Sequence, residues 1–142
     1  MITGKVFLFL TLIVCPIRSG EIQSSSLEIR VTGIQPGKGL VRVCLFDRDE
    51  HFFNKASECK VLEAPINDHI ATVIFEKIKE AENYAIVVYQ DLNSNGKLDR
   101  NWMGLPSEPY GFSNNPSTFF GPPSFQKASF EINGKTSVTI KL

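Results

Sequence analysis

The residues with the clearest chemical pattern form a segment that begins at Asp91 and reads DLNSNGKLD. Oxygen-bearing side chains recur at alternate positions of this segment, and a glycine lies near its centre. The spacing matches an EF-hand-type calcium loop, in which alternate side chains converge on one ion, the glycine permits a sharp turn and one backbone carbonyl adds a ligand. The predicted calcium ligands are the side chains of Asp91, Asn93, Asn95 and Asp99 and the carbonyl of Lys97.

Two departures from the EF-hand pattern make the predicted calcium site weak. Trp102 occupies the position where a bidentate glutamate is usual, and the flanking segments have the pattern of strands rather than helices. Water, or Glu108 reaching back, would complete the shell, and we expect a dissociation constant on the order of 10⁻⁴ to 10⁻³ M and a structural role. The alternative interpretation is a turn stabilised by its own Asn and Asp side chains, without an ion.

The same segment supplies the carboxylates that a hydrolase would need. Asp91, Asp99 and Glu108 include pairs of the kind that cleave glycosidic bonds. The histidines, His51 and His69, both lie in polar stretches, and no Ser-His-Asp or Cys-His arrangement is indicated. Because acids within a calcium-loop pattern are more simply ligands, we predict a non-enzymatic structural or ligand-binding module, with a hydrolase as the alternative.

The long loop 91–123 also contains the single Trp and five of the eight prolines. Its aromatic side chains, and one that follows it, could stack on a sugar or hold a peptide, or could instead cover the open end of the fold as a small second core. The second interpretation is favoured for Phe112 and Phe125. The predicted ligand surface consists of Trp102, Tyr110, Phe119 and Phe120.

The first twenty residues have the pattern of a secretory signal peptide. Lys5 precedes the apolar run VFLFLTLIVC, which is too short to span a bilayer comfortably, and Ser19 and Gly20 are small residues at a plausible cleavage site. The alternative is a membrane anchor. We therefore expect export to the periplasm or the cell exterior, with no stable membrane insertion after cleavage. The net charge of zero gives no indication of nucleic-acid binding.

Export changes what the cysteines mean. Once Cys15 leaves with the signal, Cys44 and Cys59 remain as an even pair in an oxidising compartment. We predict a disulfide between them, which the chain-entropy model values at roughly 3 kcal/mol. The alternative is a pair of buried thiols.

Alternating apolar residues predict a chain of short strands after the polar lead 21–26. The predicted strands cover 27–32, 40–46, 59–64, 71–76, 84–90, 124–132 and 136–142. The first two are expected to pair as a hairpin, as are the last two, which flank Asn133 and Gly134. Tyr84 opens the most apolar strand, where a tyrosine-corner hydroxyl would bond back to the preceding loop.

About seven strands without an amphipathic helix indicate an all-β fold. We predict a single antiparallel β-sandwich over residues 27–142, Ig-like or transthyretin-like in size.

The run YAIVVYQDLNSNGKLDRNWMGLPSEPYGFSNN, followed by FGPPSFQKASFEI, resembles the bacterial domain-of-unknown-function family numbered 2141. The resemblance covers roughly residues 27–142 and rests on the DxNxNGKLD, GxPxExYGFSNN and FGPPSF motifs. It implies a small exported β-sandwich of bacteria with no established activity. Family members often carry His just before the first Asp of the loop, where this chain has Gln90.

Overall fold

Apolar residues at alternate positions build two sheets whose apolar faces meet. The computed structural model describes residues 25–53, 60–80 and 82–142. The predicted signal peptide and Cys59 lie outside these residues, so the signal and the disulfide stay predictions. The described strands are β1 (Ser25–Thr32), β2 (Leu40–Phe46), β3 (Lys60–Ala64), β4 (Ala71–Ile78), β5 (Asn83–Asp91), β6 (Tyr110–Phe112), β7 (Phe130–Glu131) and β8 (Lys135–Lys141).

The smaller sheet has the order β4-β1-β8, and the larger has the order β3-β2-β5-β6 with β7 also paired to β5. A 3-10 turn (Asp49–His51) follows β2, and a short helix α1 (Phe125–Ala128) precedes β7. In the described part of the chain, no helix is long and apolar enough to cross a membrane. The prediction of an all-β, two-layer fold is therefore confirmed.

The main core lies between the two sheets. The smaller sheet contributes Leu27, Ile29 and Val31 from β1, each with no solvent exposure, and the larger sheet contributes the fully buried Val41 and Val43 from β2. Residues two apart in a strand point to the same face, so a period of two in the sequence becomes a continuous apolar face in each sheet.

A second apolar cluster covers part of the opposite face of the larger sheet. Here β5 contributes Ala85, Val87 and Tyr89, against which Phe52 and Phe125 pack from outside the sheet. The ring centroids of Phe52 and Phe125 are 5.6 Å apart in an edge-to-face arrangement. Because β5 is buried on both faces, its sequence is an almost unbroken apolar run.

Both predicted hairpins are wrong. The apolar rows of β1 and β2 face each other across the core from different sheets, so these strands cannot also lie side by side in one sheet. At the C-terminus, β8 instead pairs in parallel with β1, and β7 pairs with β5. The Asn133-Gly134 turn thus carries the chain from one sheet to the other, and one strand pair of the sandwich is parallel.

The predicted strand at 124–132 is also wrong, since this segment contains the helix α1 followed by the two-residue strand β7. Ser124 has extended backbone angles and its hydroxyl accepts a hydrogen bond from the Lys127 amide, which is the geometry of a helix N-cap. Phe125 and Ala128 are the buried residues of this helical turn. Their spacing of three follows helical rather than strand periodicity.

The tyrosine-corner prediction is confirmed by one contact. The Tyr84 hydroxyl donates a hydrogen bond to the Lys79 carbonyl at 3.1 Å. This bond fixes the path of the chain between β4 and β5, and it satisfies the polar end of a ring that is otherwise packed in the core.

Gly39 generates a stability prediction because it lies where the β1–β2 connection passes the end of β5. Its φ is +64°, and a Cβ added there would lie 1.8 Å from the Asp91 carbonyl oxygen. Gly37 has a similar φ of +69° but has open space around it. We expect Gly37→Ala to lower the free energy of unfolding by about 1 kcal/mol, the cost of the left-handed backbone alone. Gly39→Ala should lower it by about 3 kcal/mol or more, because the clash adds to that cost.

Urea unfolding of the two variants and the wild type, followed by circular dichroism, measures this difference. Equal losses for Gly37→Ala and Gly39→Ala would show that the contact with Asp91 does not constrain the connection.

Candidate functional site

Asp91 is the last residue of β5 and the first residue of the long loop. Its side chain has no solvent exposure. Oδ1 accepts a hydrogen bond from the Asn95 amide at 3.0 Å, and Oδ2 accepts one from the Gly96 amide at 2.7 Å. These bonds fold the first turn of the loop back onto the end of the strand.

Arg42 supplies the positive charge that Asp91 faces. Its Nε lies 2.9 Å from Oδ2 of Asp91, and its guanidinium also forms an ion pair with Glu63 at 2.7 Å. Arg42 lies on β2 opposite Tyr89, so the sheet itself positions it beside the loop. Nothing in the sequence pattern indicated this pairing, because the two residues are 49 positions apart.

The environment lowers the pKa of Asp91 below its ordinary value. Burial alone raises the pKa, since it disfavours the charged carboxylate, but the hydrogen bonds from Gly96, Asn95 and Arg42 and the charge of Arg42 outweigh it. For Arg42, burial lowers the pKa, since it disfavours the charged guanidinium. The contacts with Asp91 and Glu63 outweigh burial, so the pKa of Arg42 lies above its ordinary value. Each group therefore favours the ionised form of the other.

The Asp99 carboxylate accepts hydrogen bonds from the side-chain amides of Asn93 and Asn95. Asn93 Nδ2 donates to Asp99 Oδ2 at 2.7 Å, and Asn95 Nδ2 donates to the two carboxylate oxygens at 2.9 and 3.1 Å. The amide oxygens of Asn93 and Asn95 meanwhile accept the backbone N–H groups of Asn95 and Lys97. The predicted ligand side chains Asp91, Asn93, Asn95 and Asp99 are thus joined in one hydrogen-bonded loop.

Glu108 reaches back to the loop, as the sequence suggested. It is buried, and its two carboxylate oxygens accept the backbone N–H of Leu92 at 2.8 Å and of Asp99 at 3.0 Å. The carboxylate bridges the beginning and the end of the acidic segment. It therefore holds these two parts of the loop together.

The fit of this loop to calcium depends on the two amides. Carboxylate and amide oxygens are suitable calcium ligands. In the structure the nitrogen ends of Asn93 and Asn95 face Asp99, so both amides would have to turn over to direct oxygens at a shared ion. No three His, Cys, Asp or Glu side chains gather as a metal site within residues 25–53, 60–80 and 82–142.

Gln90, the residue before the first Asp of the loop, has a structural role. It has no solvent exposure, and its side chain bonds the backbone of the β1–β2 connection. Oε1 accepts the Gln35 N–H at 2.9 Å, while Nε2 donates to the carbonyls of Gln35 and Lys38 at 2.7 Å each. A primary amide supplies both the donor and the acceptor that this connection requires.

The aromatic residues that the sequence offered for a ligand surface or for a second core divide into buried and exposed groups. Phe112 and Phe125 are buried in the second cluster, as expected for them, and Tyr110 is half-buried beside it. Trp102, Phe119 and Phe120 are instead 92%, 85% and 98% exposed. The sequence pattern did not single out Met103 and Leu105, which are exposed beside Trp102.

The lowered pKa of Asp91 generates a prediction for acid stability. The folded protein holds this pKa below its unfolded value, so the stabilisation is complete above the unfolded pKa and is lost as the pH falls through the folded pKa. We expect Asp91→Asn to lower the free energy of unfolding near pH 7 by about 3 kcal/mol, because Arg42 loses its buried partner. The stability of the variant should also decline less than that of the wild type between about pH 5 and about pH 2.

Urea denaturation across this pH range tests the expectation, with Asp68→Asn as the control for an exposed carboxylate. The expectation is contradicted if Asp91→Asn follows the same pH profile as the wild type.

Of three comparisons with known proteins, one relates this chain to a family. No curated protein matches it, and no solved structure matches it. The model of a bacterial family, described as uncharacterized proteins conserved in bacteria (DUF2141), matches residues 29–141. This span includes the described strands except the first four residues of β1, together with the acidic loop and the exposed aromatic residues, and the chain therefore belongs to the DUF2141 family.

Proposed function

We propose that this chain is an exported, non-enzymatic β-sandwich module that binds a partner through apolar side chains on its long loop. We name these side chains the apolar loop tips. They are Trp102, Met103, Leu105, Phe119 and Phe120. The observation that carries the proposal is their exposure, since two phenylalanine rings and the single tryptophan are almost wholly in solvent. Exposed large apolar groups of this kind mark interaction sites.

The first group of tips is held by a well-bonded turn. Asn101 Oδ1 accepts the N–H groups of Met103 and Leu105 at 3.0 and 3.1 Å, and the Asn101 N–H donates to the Leu105 carbonyl at 2.8 Å. Arg100 closes the turn through a 3.0 Å bond to the Gly104 carbonyl. A backbone fixed in this way keeps the apolar side chains pointing outward at little further entropic cost on binding.

The second group lies in the connection between β6 and α1. The rings of Phe119 and Phe120 contact each other edge to face, with centroids 5.0 Å apart. The Gly121 N–H donates to the Thr118 carbonyl at 3.0 Å and closes a turn around the two rings. The pair therefore forms a compact apolar projection.

The composition of the tips favours an apolar peptide over a sugar. A flat ring can stack on either ligand, but a sugar also requires hydrogen-bonding groups around the ring. Trp102 instead has Met103 and Leu105 close in sequence and also exposed. Aromatic residues and Met are enriched at the centres of protein interfaces.

The engagement of the carboxylates supports a non-enzymatic role. Asp91 is ionised and faces Arg42, and Glu108 accepts two backbone N–H groups. Asp99 accepts the amides of Asn93 and Asn95. A glycosidase needs one carboxylic acid that donates a proton, and the lowered pKa of Asp91 opposes that task. The hydrolase using Asp91, Asp99 and Glu108 is for this reason the less favoured proposal.

Export is proposed from the first twenty residues, whose positive start, short apolar run and small residues are typical of a cleaved signal. In that setting the protein meets calcium at concentrations that a weak loop can use. We include one structural calcium in the proposal, held by Asp91, Asn93, Asn95 and Asp99 with the Lys97 carbonyl. Its role would be to neutralise Asp99 and to order the base from which Trp102 projects.

The calcium proposal predicts a metal-specific gain in thermal stability. At a calcium concentration ten times the dissociation constant, binding to the folded state alone adds about 1.4 kcal/mol, which raises Tm by about 5 °C. Magnesium should have little effect, because it requires a tighter octahedral shell. We expect no calcium effect in Asp99→Asn, which removes one charged ligand without disturbing the buried Asp91–Arg42 pair.

Melting curves of mature wild type, Asp99→Asn and Asp68→Asn in chelator, calcium and magnesium test this proposal. Asp68→Asn, an exposed turn carboxylate, should respond like the wild type. An unchanged wild-type Tm in calcium, or an equal rise in Asp99→Asn, would show that the loop is a metal-free turn.

The partner proposal predicts that peptides selected by this protein depend on its loop tips. We would select binders to the immobilised mature protein from a phage-displayed random peptide library and remeasure them by fluorescence polarisation. Trp102→Ala and Phe120→Ala should each weaken the selected peptides at least tenfold, as expected for interface hot spots. Ile74→Ala is the matched control, since Ile74 is an exposed apolar residue on β4 of the smaller sheet.

A glycan array probed with the same proteins is the second arm. Glycan binding that Trp102→Ala abolishes, in the absence of peptide binding, would replace the peptide by a sugar. Peptides that bind all three variants as tightly as the wild type would refute a role for the tips.

A further inference from the structure

The outer face of the larger sheet contains a cavity that is separate from the apolar loop tips. Its volume is about 400 Å³, within the range of pockets that bind small molecules. Its apolar lining includes Val87 and Tyr89 from β5, Val61 from the edge strand β3 and Leu98 from the long loop. We name this cavity the outer-face pocket.

The pocket exists because the second apolar cluster covers only part of this face. Phe52 and Phe125 pack over one end of β5, near Ala85. Val61 is 39% exposed, which shows that the edge of the sheet by the pocket is only partly covered. The long loop forms the opposite wall, where Tyr89 Oη donates to the Gly96 carbonyl at 3.4 Å.

Among the residues that the structure describes, three cations line this cavity. Arg42 is matched by its ion pairs with Asp91 and Glu63, but Lys97 and Arg100 are exposed. Arg100 is fixed in place, with its guanidinium carbon 4.7 Å from the centroid of the Phe53 ring. Among the described lining residues there is no Asp or Glu, so the pocket presents an apolar floor with a positive rim.

We propose that the outer-face pocket binds a small amphipathic carboxylate. The apolar part of the ligand lies against Val61, Val87 and Leu98, and its carboxylate faces Lys97 and Arg100. A cationic ligand would meet like charge at the rim, and a neutral one would leave both cations without a counter-charge. Arginine in particular suits a carboxylate, because its planar fork matches the two oxygens.

Decanoate is the probe for this proposal, with decanol as its neutral counterpart. Amide chemical shifts of the mature protein, titrated with each compound in low-salt buffer, give both the affinity and the location. We expect decanoate to bind at least tenfold more tightly than decanol, with the largest shifts near Val61, Val87 and Leu98. Lys97→Gln and Arg100→Gln should each weaken decanoate binding about three- to fivefold, since each charge at the rim is partly screened by solvent.

A negative charge in the apolar lining of the pocket gives a stronger test of the proposal. Val61→Glu places a carboxylate in this lining and should weaken decanoate binding at least tenfold. Thr72→Glu adds the same charge on the other sheet, opposite Arg30, and should leave the affinity unchanged. Because Val61 and Thr72 are exposed strand positions, both variants should keep the wild-type spectrum away from the substitution.

Three results would overturn the proposal. Equal affinities for decanoate and decanol would show that the rim contributes nothing, and wild-type affinity in Lys97→Gln, Arg100→Gln and Val61→Glu would place the ligand elsewhere. Shifts confined to the region of Trp102 or Phe119 would assign decanoate to the apolar loop tips instead.

Discussion

The buried carboxylate of Asp91 is the interaction on which the conformation of the long loop, with its proposed binding surface, depends. One side chain without solvent exposure ends the central strand β5, pairs with Arg42 of the neighbouring strand and accepts two backbone N–H groups of the long loop. A buried charge is tolerated only when it is paired and fully hydrogen-bonded, and the loop supplies what the sheet cannot. The conformation of the loop is thus fixed by the need of one strand end to satisfy its charge.

The same constraint extends to the connection between β1 and β2. Gly39 lies so close to the Asp91 carbonyl that no side chain fits, and the neighbouring Gln90 bonds the backbone of Gln35 and Lys38. Strand β5 therefore holds one connection with its buried amide and the long loop with its buried carboxylate. At this end of β5, buried hydrogen bonds and one ion pair hold the two connections. The 3-10 turn and α1 are instead held by contacts between phenylalanine rings.

Much of the fold could be predicted from the sequence because the physics that sets it is local. Alternating apolar residues located β1 to β4 and β8, and an unbroken apolar run identified β5 as buried on both faces. The pattern missed β6 and wrongly predicted a strand over residues 124–132, where α1 lies. Strand partners were a different matter. The pairing of β1 with β8 joins segments that are about a hundred residues apart, and an alternating pattern shows which face of a strand is buried but not which neighbour it has. Asn133-Gly134 does form a turn, but the two strands that flank it join different sheets and so form no hairpin.

The candidate site shows the same difference between local contacts, which the sequence predicts, and long-range contacts, which it does not. Spacing alone brought Asp91, Asn93, Asn95 and Asp99 into one loop, and Glu108 was expected to reach back to it. Sequence could not show that Arg42 faces Asp91, because that contact depends on the register between β2 and β5. It did separate most buried aromatic residues from exposed ones, since Phe112 and Phe125 were expected to be buried, but it placed the half-buried Tyr110 on the ligand surface. The outer-face pocket is formed by three strands and the loop together, and it has no signature in any one segment.

Rigidity connects these observations to binding. A loop of more than thirty residues would ordinarily lose much conformational entropy when a partner orders it, and this cost is subtracted from affinity. Here the acidic segment is bonded to itself and bridged by Glu108, and the turn around Trp102 is closed by Asn101 and Arg100. The conformational entropy of the loop is therefore lost when the chain folds, and the hydrogen bonds that offset this loss need no partner. A small sandwich of this kind can hold apolar side chains in water and still keep their positions, which is the condition under which a few exposed rings are enough for specific recognition.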